Sequence, residues 1–166
     1  MLSDSVSTST PCLPDGPPTG CLPPSLADLD YSFGLPGGPY ALSLARELVR
    51  RLLDEHGLSD MAELGVFAAS EMLGNCHLFS GNRETDLSLR WRFGVLRLTV
   101  FDRHPLHAEG LGRVCLARRR VALSTLDAVV DACGGICRLE DARQPLVGSK
   151  VWVVFSREAA RRYAEC

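Results

Sequence analysis

Between residues 42 and 53 apolar side chains recur at helical spacing. Leu42, Ala45, Val49 and Leu52 share one face, with Leu48 and Leu53 beside them, while Arg46, Glu47, Arg50, Arg51, Asp54 and Glu55 fall elsewhere. This predicts a helix stopped by Gly57. A second helix is expected from a cap at Ser59 or Asp60, with Glu63 completing a capping box, to about Leu78, with Gly81 ending it. The period then changes to two. Leu87, Leu89, Trp91 and Phe93 alternate on one face of a strand, and Leu96, Leu98 and Val100 follow in phase on the next. A tight hairpin around Phe93 and Gly94 joins them.

From Arg103 to Arg120 no period holds, so a long loop is expected. A third helix, VALSTLDAVVDAC, ends at Gly134-Gly135, and ICRLE and KVWVVF read as two last strands. YSFGL reads as a short edge strand, and SREAARRYAEC as a short terminal helix. The element order predicts an α+β two-layer sandwich, a mostly antiparallel sheet covered on one face by three helices. Residues 1–30 are rich in Ser, Thr, Pro and Gly and are expected to form a disordered tail; the ordered domain is expected over 31–166.

Composition narrows the function classes. With 46% hydrophobic residues the chain can bury a core, and a net charge of −2 gives no global footprint for direct nucleic-acid binding. Of the 18 basic residues only Lys150 is lysine, an arginine bias that suggests a GC-rich genome. No apolar run reaches the ~20 residues of a membrane span, and no basic-then-apolar leader opens the chain. The seven cysteines are scattered, and Cys76, Cys115 and Cys133 lie among apolar residues, as small core hydrophobes do. A reduced, cytoplasmic protein is expected. Cys133 and Cys137 are spaced C-x-x-x-C, but nothing in the pattern makes them converge with Cys76 and His77 on zinc. His104 and His107 fall in the long loop, where solvent exposure is the simple expectation.

The stretch SEMLGNCHLFSG carries the candidate chemistry. Glu71 and Asn75 are four residues apart and project together from a largely apolar helix. Neither is buried unpaired without cost. A magnesium ion, which takes oxygen ligands and keeps several waters, is one way to satisfy them; the rim of an ordinary helix is the other.

Four short motifs, in order, resemble the anti-sigma-factor serine/threonine kinase branch of the GHKL ATPases, the histidine kinase-like or Bergerat fold. SEMLGNCHLFS is similar to that group's asparagine box, SELVTNAVRHA, at Ser70, Glu71 and Asn75. LRLTVFDRHP resembles the strand that ends in its adenine-binding aspartate, LDAVVDACGG the helix before a glycine, and GSKVWVVF the final strand. The resemblance spans about residues 31 to 157.

It implies that Asn75 ligates magnesium, Glu71 acts as general base on a substrate hydroxyl, Asp102 binds the adenine amino group, and Ser149 lies near the adenine edge. The implied cofactors are ATP and Mg2+. The implied partners are a sigma factor, a small antagonist protein that receives the γ-phosphate, or a second copy of the chain. The sequence departs from the pattern in places. The glycine box before the third helix falls on Arg120, Val121, Ala122 and Leu123; the nearest glycines are Gly110 and Gly112 in EGLGR. Leu78 and Phe79 stand where a basic pair is usual, and Arg118, Arg119 and Arg120 are either a solvated basic loop or an alternative phosphate contact. A kinase and a catalytically degenerate docking module on the same fold are therefore both open.

Overall fold

A computed structural model describes residues 24–105, 107–108, 110–142 and 147–166. Most of the expected tail lies outside these residues. Packing begins a little before Tyr31: residues 26–28 form a 3-10 turn, Leu29 is fully buried, and its carbonyl accepts from Trp91 N at 2.9 Å.

Five strands, β1 (Asp30–Leu35), β2 (Thr85–Arg92), β3 (Val95–Asp102), β4 (Ile136–Asp141) and β5 (Ser149–Ser156), form one sheet in the order β1-β2-β3-β5-β4, every pair antiparallel. The register aligns Leu89, Leu98, Val153 and Cys137 across four strands, and all four are buried. The intervening rows, such as Arg90, Arg97, Val154 and Ile136, are half-buried or exposed, and Arg97 stacks over the Trp152 ring at 4.6 Å. This alternation is what a sheet covered on one face requires. Phe93 belongs to the hairpin tip rather than to the apolar face. It is 100% exposed, and positive φ at Phe93 (53°) and Gly94 (78°) makes the tight turn that suits twisted strands.

Among the described residues there are five α-helices: α1 (Tyr40–Glu55), α2 (Ala62–Ser80), α3 (Leu111–Ala122), α4 (Ser124–Ala132) and α5 (Arg157–Ala164). The architecture is thus α+β, with a five-stranded antiparallel sheet and five helices. The buried stripe of α1 is Ala41, Ala45, Val49 and Leu53; Ala45 and Val49 are as expected, while at its ends Ala41 and Leu53 take the places expected for Leu42 and Leu52, which flank it. The expected capping box at the start of α2 does not form. A 3-10 turn over Ser59–Met61 leads into the helix, and Glu63 pairs instead with Arg50.

The main departure from the sequence reading is α3. The stretch expected as loop holds a twelve-residue helix, and the expected third helix is divided at Leu123 into α3 and α4. α3 was hidden because it is exposed along nearly its whole length; Arg119 is its one buried residue. A helix without an apolar stripe shows no hydrophobic period.

Candidate functional site

Glu71 and Asn75 do share a face of α2, but their environments diverge. Asn75 is 4% exposed, whereas Glu71 is half-buried at the rim, with no hydrogen bond to its carboxylate among the described residues. Asn75 is satisfied by α3: its Oδ1 accepts from Arg119 Nε at 2.9 Å, and its Nδ2 donates to the Arg119 carbonyl at 3.1 Å. One lone pair of Asn75 Oδ1 thus faces a guanidinium.

The sheet supplies the opposite wall. Asp102 ends β3 and Ser149 begins β5, and the antiparallel register sets them directly opposite each other on the buried face. Gly148 allows this closure: a Cβ there would lie 2.0 Å from the Asp102 carbonyl oxygen. Ser149 Oγ donates to Asp102 Oδ1 at 2.7 Å, and the His104 amide donates to the same oxygen at 3.2 Å.

Arg119 enters between these walls and is 1% exposed. Nη2 donates to Asp102 Oδ2 at 2.7 Å, while Nη1 bonds Ser149 Oγ and lies 3.4 Å from Asp102 Oδ1. The fork geometry of a guanidinium meets a carboxylate with two parallel donors, so the pair fixes orientation as well as charge. Phe79 sits 5.7 Å from the guanidinium carbon, close enough for its ring face to favour the cation. Burial pushes the Asp102 carboxyl up, but the Arg119 charge and the hydrogen bonds from Arg119 and Ser149 outweigh it and hold the carboxyl below its usual range. Next to it, burial and the Asp102 charge push the Cys76 thiol well up.

Three of the residues singled out in the sequence, Asn75, Asp102 and Ser149, are therefore brought together, and one arginine satisfies all of them. Gly110 and Gly112 lie at the start of α3, Gly110 just ahead of its first turn at φ 86°. They line a cavity of about 680 Å³ whose wall also includes His104, Cys115, Arg119 and Ser149. Its size is that of a small-molecule site. Asp102 and Asn75 do not line it; they sit behind Arg119.

Two features escaped the sequence. In the sequence nothing distinguishes Arg119 from its exposed neighbours Arg118 and Arg120, and only the fold singles it out. Cys115 is half-buried rather than core, and meets His104 and His107 at the cavity edge. His104 Nε2 lies 2.7 Å from His107 Nε2 and 3.2 Å from Cys115 Sγ. Burial, then the nearby Arg119 charge, lowers the His104 pKa. The spacing H-x-x-H with a cysteine eight residues on was the available signal. The missed helix α3 concealed that the cysteine turns back onto the loop.

No protein-family model matches the chain, and no curated protein is detectably similar to it.

Proposed function

We propose that this chain is a bacterial, cytoplasmic regulator of the anti-sigma-factor kinase type, built on the Bergerat sandwich, that docks a protein partner without phosphoryl transfer. The observation that carries this reading is Arg119. It fills the space between Asn75, Asp102 and Ser149, the groups that the resemblance assigns to magnesium and adenine. A nucleotide would have to displace Arg119 from a buried, hydrogen-bonded ion pair before reaching Asp102. The departures in sequence support the same reading because they are mutually consistent. Phe79 replaces a basic residue that would repel Arg119, and a helix carrying Arg119 stands where a glycine-rich phosphate loop would be. The partner would be a sigma factor, a small antagonist protein or a second copy of the chain.

A second reading is favoured by the cavity beside Arg119, lined by Gly110, Gly112 and Ser149. Here α3 withdraws, Asp102 receives adenine, Asn75 ligates Mg2+ and Glu71 serves as base toward a Ser or Thr of the partner. Magnesium would then neutralise charge on the transferring phosphoryl group.

Calorimetric titration with ATP, with and without Mg2+, tests both. Docking without turnover predicts no binding by the wild-type protein and no labelled phosphate on a bound antagonist. The kinase reading predicts magnesium-dependent binding that Asp102→Asn weakens by roughly 5- to 150-fold, the equivalent of one mismatched buried hydrogen bond. Transfer by the wild type that Glu71→Ala abolishes would overturn the docking reading.

A further inference from the structure

We propose that His104, His107 and Cys115 form a binding site for a zinc-class divalent cation that ties the β3–α3 loop to α3. The proposal does not depend on the docking reading, because none of the three residues has a part in it.

The argument begins with ring nitrogens. His104 Nδ1 lies 3.2 Å from Ser80 Oγ at the C-terminal end of α2. When Nδ1–H donates there, Nε2 is left as the lone-pair nitrogen. Metal-ligating histidines are commonly held in this way, with the remote N–H fixed by a hydrogen-bond acceptor. The His104 amide is also tied, donating to Asp102 Oδ1 at 3.2 Å, so the backbone that presents the ring is anchored to the sheet.

Two further groups converge on that one nitrogen, His107 Nε2 at 2.7 Å and Cys115 Sγ at 3.2 Å. A single lone pair accepts one good hydrogen bond, so an imidazole N–H and a thiol S–H compete for it. A cation removes the competition, because it takes a lone pair from each of the three atoms. Their ligand atoms already lie within 4.8 Å of one another. Zinc binds nitrogen at about 2.0–2.1 Å and thiolate sulfur at about 2.3 Å, so a tetrahedral ion needs N···N and N···S separations of roughly 3.3–3.6 Å. The two imidazole nitrogens must open from 2.7 Å by about 0.6 Å and the His104–Cys115 pair from 3.2 Å by about 0.3 Å, while His107 and Cys115 stay within the 4.8 Å that already encloses the three ligand atoms; side-chain rotation supplies such shifts.

Two imidazoles and a thiolate suit zinc and its neighbours in the first transition row, and exclude calcium and magnesium, which take oxygen. The three residues also line the cavity of about 680 Å³, which provides the entry path and room for water or a ligand in the fourth position. On binding, Zn–N and Zn–S bonds form, the His107 proton passes from Nε2 to Nδ1 by exchange with solvent so that Nε2 offers its lone pair, and the Cys115 S–H proton is released to solvent. Cys115 lies one helical turn before Arg119, so the ion would fix the turn of α3 that precedes the buried arginine.

The test uses the full reduced chain and the metal alone. Zinc is titrated in competition with a chromophoric chelator, and cobalt(II) by absorption spectroscopy. One equivalent should bind, with the visible bands of a tetrahedral cobalt site and a thiolate-to-cobalt charge-transfer band. Losing an outer-shell partner lowers metal affinity by about 10–100-fold, so losing a ligand should cost at least ~100-fold. His107→Ala and Cys115→Ser should each show this loss, and Cys115→Ser should also lose the charge-transfer band. Cys133→Ser should bind as wild type. His107 is exposed, so its replacement leaves the fold intact and decides the matter even if Cys115→Ser misfolds. Wild-type zinc affinity in His107→Ala, a charge-transfer band that persists in Cys115→Ser, or no stoichiometric binding by the wild type would each overturn the site.

Discussion

Replacing Arg119 by methionine isolates the electrostatic part of its role, because methionine fills much of the same volume with an unbranched apolar chain. The change removes both guanidinium contacts to Asp102 and those to Asn75 and Ser149, at a position 1% exposed. Breaking a buried pair from one side costs about 3–5 kcal/mol, most of it the stranded charge. The loss should therefore depend on pH. In the wild type the Asp102 carboxyl is held below its usual range, so its contribution is complete above the unfolded value of about 3.9 and fades as pH falls through the lower folded value. Without Arg119, burial dominates and the folded carboxyl rises above about 3.9; the penalty is then largest at neutral pH and shrinks toward acid, by about 1.4 kcal/mol per unit of separation. Urea unfolding at about pH 7 and about pH 4.5 measures both limits. Arg119→Met should lose about 3–5 kcal/mol at the higher pH and clearly less at the lower, and adding Asp102→Asn should recover much of the neutral-pH loss. A loss under ~0.5 kcal/mol at neutral pH, in the range of ordinary surface substitutions, would refute the idea that the pair holds α3 in place. So would a loss that is the same at both pH values.

Three other outcomes are expected. Leu29→Ala should cost about 2–5 kcal/mol in chemical unfolding, since the side chain is fully buried where the chain joins the sheet; a loss below 1 kcal/mol would show that this segment is peripheral. Gly148→Ala should destabilise by about 1–3 kcal/mol, because its Cβ would lie 2.0 Å from the Asp102 carbonyl oxygen and the backbone must shift; an unchanged thermal midpoint contradicts the close approach. Mass-resolved alkylation of the native chain near pH 8 should modify exposed Cys166 well before Cys137, whose thiol burial and the Asp127 charge push up to about 11, leaving about one part in a thousand as thiolate; equal rates would contradict that burial.

The fold was legible wherever one face of an element is apolar. Alternation in β2 and β3 shows the hairpin and its buried row, and in α1 Ala45 and Val49 are buried as their spacing implies, with only the ends of the stripe differing. Asn75, Asp102 and Ser149 were legible as a group only through the resemblance, since nothing local says that α2 and the ends of β3 and β5 meet. α3 was not legible because its residues satisfy no apolar face, and Arg119 was masked by its arginine neighbours. The histidine–cysteine cluster depends on that helix and was lost with it. Both misses have one cause: a position stabilised by charge and hydrogen bonds leaves no trace in a hydrophobic pattern.

The single buried residue of α3 also bears on how this part of the chain tolerates change. Most of the helix faces solvent, and surface substitutions usually shift stability by less than ~0.5 kcal/mol. A saturation mutagenesis scan should therefore give an uneven profile across 111–122, permissive at the exposed sites and intolerant at 119. Such a segment can drift almost freely in sequence while one position keeps its geometry, so its ancestry would be recorded in a single arginine rather than in a motif.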